Sequence, residues 1–388
     1  MIHDLVRRVD AATPPGRDRA ADALRAAAIL GVVLGHWLVT ALVVDSGTVR
    51  VASPLRAMPQ LTPASWVLQT MALFFLVGGW MAARGHAAAG ARGVAYGRWL
   101  GARASRLFRP LATVAVVWAV LAVVMIAAGA DERTVRVLLK VVWSPLWFLL
   151  VFAALTAATP LVARLHPLWP LAAVALVDVA RFGLGAPEWL GWVNVAAAWL
   201  VPYCLGASWA RGRLQGSATG WVLLLGGAAA TAALVLWAGY PASMVGVPGA
   251  RVSNQAPPTL AGAVFGLAQC GAALLLLGPL RRALRRPAAW AVVAVANLSA
   301  MTIYLWHQTA MIAVTALGLL AGGALPGLHT APDDPGWVLA RLAWLPAFAL
   351  ALLVCGAAFA GRRGPLRDVP AVGAQGGGQG LGGLRLHG

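Results

Sequence analysis

Runs of about 20 apolar residues recur along nearly the whole length of this chain, and each is long enough to cross the hydrocarbon core of a bilayer as a helix. Inside lipid every backbone N–H and C=O must find its partner within the protein, so such runs fold as helices. Ten candidate spans stand at 26–44, 65–83, 107–128, 145–163, 168–183, 192–210, 220–239, 259–279, 289–322 and 337–360. The expected fold class is therefore all-α: a polytopic membrane helical bundle with about ten transmembrane helices. Composition agrees. Only 11% of the residues are charged and 60% are hydrophobic, whereas an average soluble domain is roughly 25% charged. The fifth span is short and carries Asp178 and Arg181, and the ninth is long enough to bend or project from the bilayer.

The formal net charge of +18 suggests nucleic acid as a partner, but its distribution argues against one. A nucleic-acid face gathers its arginines with aromatic residues among them, and here they sit in short runs between apolar segments. With the N-terminus inside, 22 of the 30 basic residues fall on the cytoplasmic side, as the positive-inside bias requires. An odd number of spans would break the alternation, so both termini are expected in the cytoplasm. Lys140 is the sole lysine. Cys204, Cys270 and Cys355 lie far apart without metal or disulfide spacing,. The first 25 residues lack the apolar run of a cleavable signal,. The expected organisation is a cytoplasmic segment over 1–25, a membrane domain over 26–360 and a Gly-rich cytoplasmic tail over 361–388.

Ionisable groups inside a span are costly and point to function. His36 lies near the middle of the first span and His307 in the ninth. Arg25 precedes His36 by eleven residues, about three helical turns, so both leave one face of the helix roughly 16 Å apart. That arrangement suits a long ligand with an anionic head at the membrane surface and a reactive end at mid-membrane. The blander reading makes Arg25 a topology signal, held by Asp22, and His36 a core residue. Arg103, Arg106 and Arg109 share a helix face before the third span; arginine binds phosphate in a bidentate, planar way, though cytoplasmic loops are rich in arginine for topology alone. Tyr304 and His307, three apart, face the same way, while Trp306 points elsewhere,.

In order along the chain, LRAAAILGVVLGHW (Arg25, His36), FFLVGGW (74–80), RASRLFRP (103–110), PLWFL (145–149) and YLWH (304–307) together resemble the bacterial acyltransferase-3 family of integral membrane O-acyltransferases, from about residue 17 to 360. The resemblance implies transfer of an acyl group, acetyl in the simplest case, from cytoplasmic acyl-CoA to a hydroxyl of an envelope carbohydrate or glycosylated metabolite, in the bacterial cytoplasmic membrane. No cofactor or metal is implied beyond acyl-CoA as donor substrate. Mapped by residue, it makes His36 the general base or acyl relay, with His307 and Tyr304 as further catalytic candidates. Arg25, Arg103, Arg106 and Arg109 become donor-binding candidates, with two possible RxxR frames, and Trp147 and Trp306 acceptor-binding or positioning residues. Two departures stand out: Gly78 replaces a serine of many relatives, and no glutamate follows Trp147 near Phe152. His36 thus lacks an evident carboxylate to orient it; a backbone carbonyl or Tyr304 is the substitute to look for. The loop NQAPPTLAG (254–262) is a candidate wall of an acceptor site. A transporter or flippase without chemistry shares arginine clusters and buried histidines, but the chain shows no repeat halves and no paired intramembrane carboxylates. A non-catalytic partner in envelope synthesis is the other alternative.

Overall fold

A computed structural model describes residues 2–45 and 47–359; the Gly-rich tail and its four arginines lie outside the described residues. The chain begins with α1 (Ile2–Ala11) and α2 (Arg19–Val39), then a hairpin of β1 (Ala41–Asp45) and β2 (Thr48–Ala52), antiparallel with Leu42 opposite Val51. Short helices α3 (Pro54–Ala57) and α4 (Thr62–Leu68) lead into α5 (Met71–Ala91), α6 (Tyr96–Ala127), α7 (Glu132–Trp143), α8 (Trp147–Ala157) and α9 (Thr159–Val162). There follow α10 (Leu168–Asp178), α11 (Val193–Ala210), α12 (Ser217–Trp237), α13 (Leu260–Ala283), α14 (Pro287–Leu298), α15 (Ala300–Gly318) and α16 (Pro335–Phe359).

Among the described residues, nine helical segments are long and apolar enough to cross a membrane. The chain is thus an all-α, multi-pass membrane bundle. The fifth expected span corresponds to α10, which is not among these nine and whose eleven α-helical residues run on through a π-helical turn, Val179–Gly183. Asp178 explains why a carboxylate is tolerated there: it accepts hydrogen bonds from Asn194 at 2.9 Å, Tyr240 at 3.0 Å and the Leu260 backbone N–H at 2.6 Å. The first span starts earlier than the hydropathy suggests, because Asp18 caps α2 by accepting from the Ala20 and Ala21 N–H groups,. It also ends earlier, with residues 41–45 passing into β1.

Close helix pairing relies on glycine, as expected where lipid offers no hydrophobic force between helices. A Cβ on Gly206 of α11 would stand 1.9 Å from the Leu76 carbonyl oxygen of α5, and one on Gly79 would stand 2.1 Å from that of Tyr203. The faces away from the bundle stay apolar: Val116, Val120 and Val123 of α6 and Leu339, Leu350 and Leu353 of α16 are exposed, consistent with contact to lipid chains.

Three membrane helices are interrupted. Gln69 adopts an extended backbone between α4 and α5, a turn over Ser144–Leu146 separates α7 from α8, and Ser299 separates α14 from α15. Each break frees a carbonyl, and each carbonyl has a donor. Gln269 of α13 donates to Gln69 O, Tyr304 to Pro145 O, and Arg25 to Asn297 O at 3.4 Å. The break at Ser299 is the bend anticipated in the long ninth span. In the fourth, an amphipathic helix with Arg133, Arg136 and Lys140 precedes the apolar part, so that helical segment starts at Glu132 rather than near 145.

Replacing Gly206 by Val is expected to cost about 1–3 kcal/mol through overpacking against backbone, seen as a lowered thermal midpoint in detergent. Gly226→Val on α12, where a Cβ meets nothing within 4 Å, is expected to leave the midpoint unchanged.

Candidate active site

The two intramembrane histidines meet. His36 of α2 and His307 of α15 lie with ring centroids 5.2 Å apart, tilted by 41°. The orienting carbonyl anticipated for His36 serves His307 instead: Nδ1–H of His307 donates to Tyr304 O at 2.6 Å. That bond fixes the tautomer and leaves Nε2 as the proton-accepting nitrogen, and Nε2 is buried without a partner among the described residues. His36 makes no side-chain hydrogen bond there and faces a cavity. Trp37 Nε1–H donates to the His307 backbone oxygen at 2.9 Å, tying α2 to α15 beside the ring pair.

Arg341, one of the eight basic residues counted on the side opposite the cytoplasm, proves central to this arrangement. Arg341 of α16 is 1% exposed and donates to Trp37 O at 2.6 Å, Thr40 O at 2.8 Å and Gly327 O at 2.8 Å. It closes the C-terminal end of α2, where orphan carbonyls and the helix dipole favour a cation. Its guanidinium lies 4.6 Å from the Phe348 ring centroid.

Two cavities lie along α2 and α15: His36 lines the larger, while the smaller is lined farther along the same helices by Arg25, Ile29, Ala300 and Met301. The larger, about 640 Å³, is lined by His36, Tyr304, Gln308, Gln69, Ser144 and Trp147, with Arg50, Arg133 and Lys140 farther out. Gln255 and Ala256 from the 254–262 loop also line it; Asn254 instead braces the loop, donating to Pro241 O at 2.6 Å and Ser243 O at 3.0 Å. The smaller, about 290 Å³, is lined by Arg25, Arg103, Arg106, Thr156 and a mostly apolar wall that includes Ile29, Phe74 and Met301. An aromatic partition separates the two. Phe74 lines the smaller cavity and Phe148 the larger, and they meet edge-to-face at 5.1 Å, with Phe148 also 4.7 Å from the Tyr304 ring.

The arginine frame is now distinct. Arg103 and Arg106 line the smaller cavity together with Arg25, while Arg109 is exposed and does not. Arg103 stacks 4.7 Å over Trp99, and its Nε is buried without a partner among the described residues. Asp22 does not hold Arg25; it takes Arg17 at 2.6 Å and 3.2 Å. Arg25 is left facing the cavity with weak contacts to Met81 Sδ and Asn297 O. Trp306 stacks on Phe359 at 4.1 Å, away from both cavities.

A family model described as an acyltransferase domain matches residues 18–360. The chain belongs to this acyltransferase family. Neither the curated proteins nor the solved structures gave a match. The two sequence departures of this acyltransferase are coupled in space: a Cβ on Gly78 would stand 2.4 Å from Phe152 Cε2, so the missing side chain at 78 makes room for the phenyl ring at 152. Both residues line the smaller cavity.

Arg341→Leu would leave three buried carbonyls without their charged donor, at about 1.5–3 kcal/mol each. The expected outcome is a large loss of thermal stability. Arg341→Lys, which keeps the charge but gathers its donors on a single nitrogen instead of a planar fork, is expected to fall between this variant and the native protein.

Proposed function

We propose that this acyltransferase carries an acyl group from acyl-CoA, held in the smaller cavity, to an alcohol held in the larger one. The observation that carries the reading is the unpartnered Nε2 of His307 beside His36, with His36 on the wall of one cavity and three arginines on the wall of another. With ten crossings and both termini cytoplasmic, Arg25, Arg103 and Arg106 face the cytoplasm, where acyl-CoA is found, and the larger cavity opens to the far side. The family resemblance supports a carbohydrate or glycosylated metabolite as acceptor, acetyl as the simplest acyl group and the bacterial cytoplasmic membrane as location.

In this reading the arginines take the donor's phosphates and its arm runs along the Arg25–His36 face of α2. An alcohol is a poor nucleophile at neutral pH, and a positioned imidazole that takes its proton contributes about 10²–10⁴-fold. The alcohol oxygen attacks the thioester carbon as imidazole accepts the hydroxyl proton. The tetrahedral centre then collapses with cleavage of the C–S bond, and the departing CoA thiolate takes the proton back. Tyr304, held by Pro145 O, fixes the carbonyl that orients His307 and is a positioning residue. Trp147 walls the acceptor cavity, and Gly78 and Phe152 shape the donor side.

His36→Ala and His307→Ala are each expected to lower acyl transfer by about 10²-fold or more, measured as acceptor-dependent release of CoA from radiolabelled acyl-CoA, with the protein still folded in the membrane. Near-native turnover in His36→Ala would remove that residue from the chemistry. Loss of phosphate contacts in Arg103→Ala and Arg106→Ala is expected to raise KM for acyl-CoA, while Arg109→Ala leaves it near native.

A further inference from the structure

We propose that the larger cavity selects an alcohol carrying an anionic group, a phosphate or carboxylate, with the anion at its rim and the hydroxyl at its floor. This specificity rests on the reading of that cavity as the acceptor site. No aspartate or glutamate is among its lining residues, whereas three cations are: Arg50, Arg133 and Lys140. None of the three makes an ion pair or side-chain hydrogen bond among the described residues. Arg136, on another face of the same helix, pairs instead with Glu132 at 3.9 Å.

The placement of these cations is built by the fold. Arg133, Val137, Lys140, Val141 and Ser144 follow one another at helical spacing along the side of α7 and its end that faces the cavity,. Arg50 comes from β2, which docks on α7 through the Val49 N–H donating to Thr134 Oγ1 at 3.3 Å. Three basic residues on the face expected to be poor in positive charge run against the topology bias, so orientation in the membrane does not account for them.

The floor of the cavity supplies an independent observation. Gln308 is 2% exposed and lines the cavity, and its Oε1 has no hydrogen-bond partner among the described residues. A buried acceptor left unpaired is destabilising, and a ligand hydroxyl donating to it removes that cost. Gln308 adjoins His307, whose Nε2 is also unpartnered. A ligand hydroxyl held here is within the neighbourhood of the imidazole pair, while a phosphate or carboxylate on the same molecule reaches the cationic rim. The same chemistry is presented by a soluble sugar phosphate and by a sugar linked to a polyprenyl phosphate.

Lys140 being the sole lysine, an amine-acylating reagent reports on this rim with little competition. The rate of Lys140 modification would be followed by mass spectrometry of its peptide, on the full chain in nanodiscs. Glucose 1-phosphate in solution, or polyprenyl phosphate glucose placed in the disc, is expected to slow modification by about tenfold at about ten times its Kd. Glucose is expected to give no protection, and Arg50→Ala combined with Arg133→Ala to abolish it. Whichever phosphate form protects identifies the soluble or the lipid-borne source. Equal rates with every ligand would overturn the proposal. So would protection by inorganic phosphate as strong as that by the glucose phosphates, which would mark a bare anion site. His36→Ala is expected to keep protection while losing acyl transfer. Protection without any native transfer would therefore count against the proposed function, and transfer without protection against this specificity alone.

Discussion

The hydrogen bond from Trp37 Nε1–H to the backbone oxygen of His307 joins the two helices that carry the intramembrane histidines. It sets α2 against α15 so that two imidazoles, 271 positions apart in sequence by their numbers 36 and 307, come to 5.2 Å. Arg341 secures the same junction from the other side by closing the end of α2. Such bonds are decisive in lipid because a carbonyl without a donor has no water to turn to.

The same constraint organises the rest of the centre. Helices broken at Gln69, at Ser144–Leu146 and at Ser299 release carbonyls that must be satisfied by the protein, and two of the three donors are themselves parts of the candidate site: Tyr304 and Arg25. Interruption and function are thus the same feature seen twice. A broken helix leaves space for a cavity and supplies polar groups to its wall, which a regular helix inside a bilayer withholds.

Much of this was legible in the chain because hydropathy acts locally. Nine of the ten expected spans, the bend in the ninth and the common face of Tyr304 and His307 follow from the order of residues alone. Capping by Asp18 and the entry of residues 41–45 into a hairpin shifted the first span, since caps and strand pairing outweigh a run of valines. Arg341 and Gln308 escaped notice for a different reason: each acquires its meaning from partners, or from the lack of one, that only tertiary contact reveals. Arg341 is one of eight basic residues on the side poor in charge, and nothing in its neighbours announces that it binds the end of α2. The RxxR ambiguity belongs to the same class, because 103, 106 and 109 are equivalent by spacing and differ only in which of them reach a cavity.

The two cavities meet at an aromatic partition built on Phe74 and Phe148, and the proposed function has donor and acceptor approach the histidine pair from opposite sides of it. A cryo-EM structure with a non-hydrolysable thioether analogue of acyl-CoA tests this arrangement most directly. The phosphates are expected against Arg25, Arg103 and Arg106, with the acyl end beside His36 and His307. Finding the nucleotide in the cavity lined by Arg50, Arg133 and Lys140, or the acyl end remote from both histidines, would contradict it.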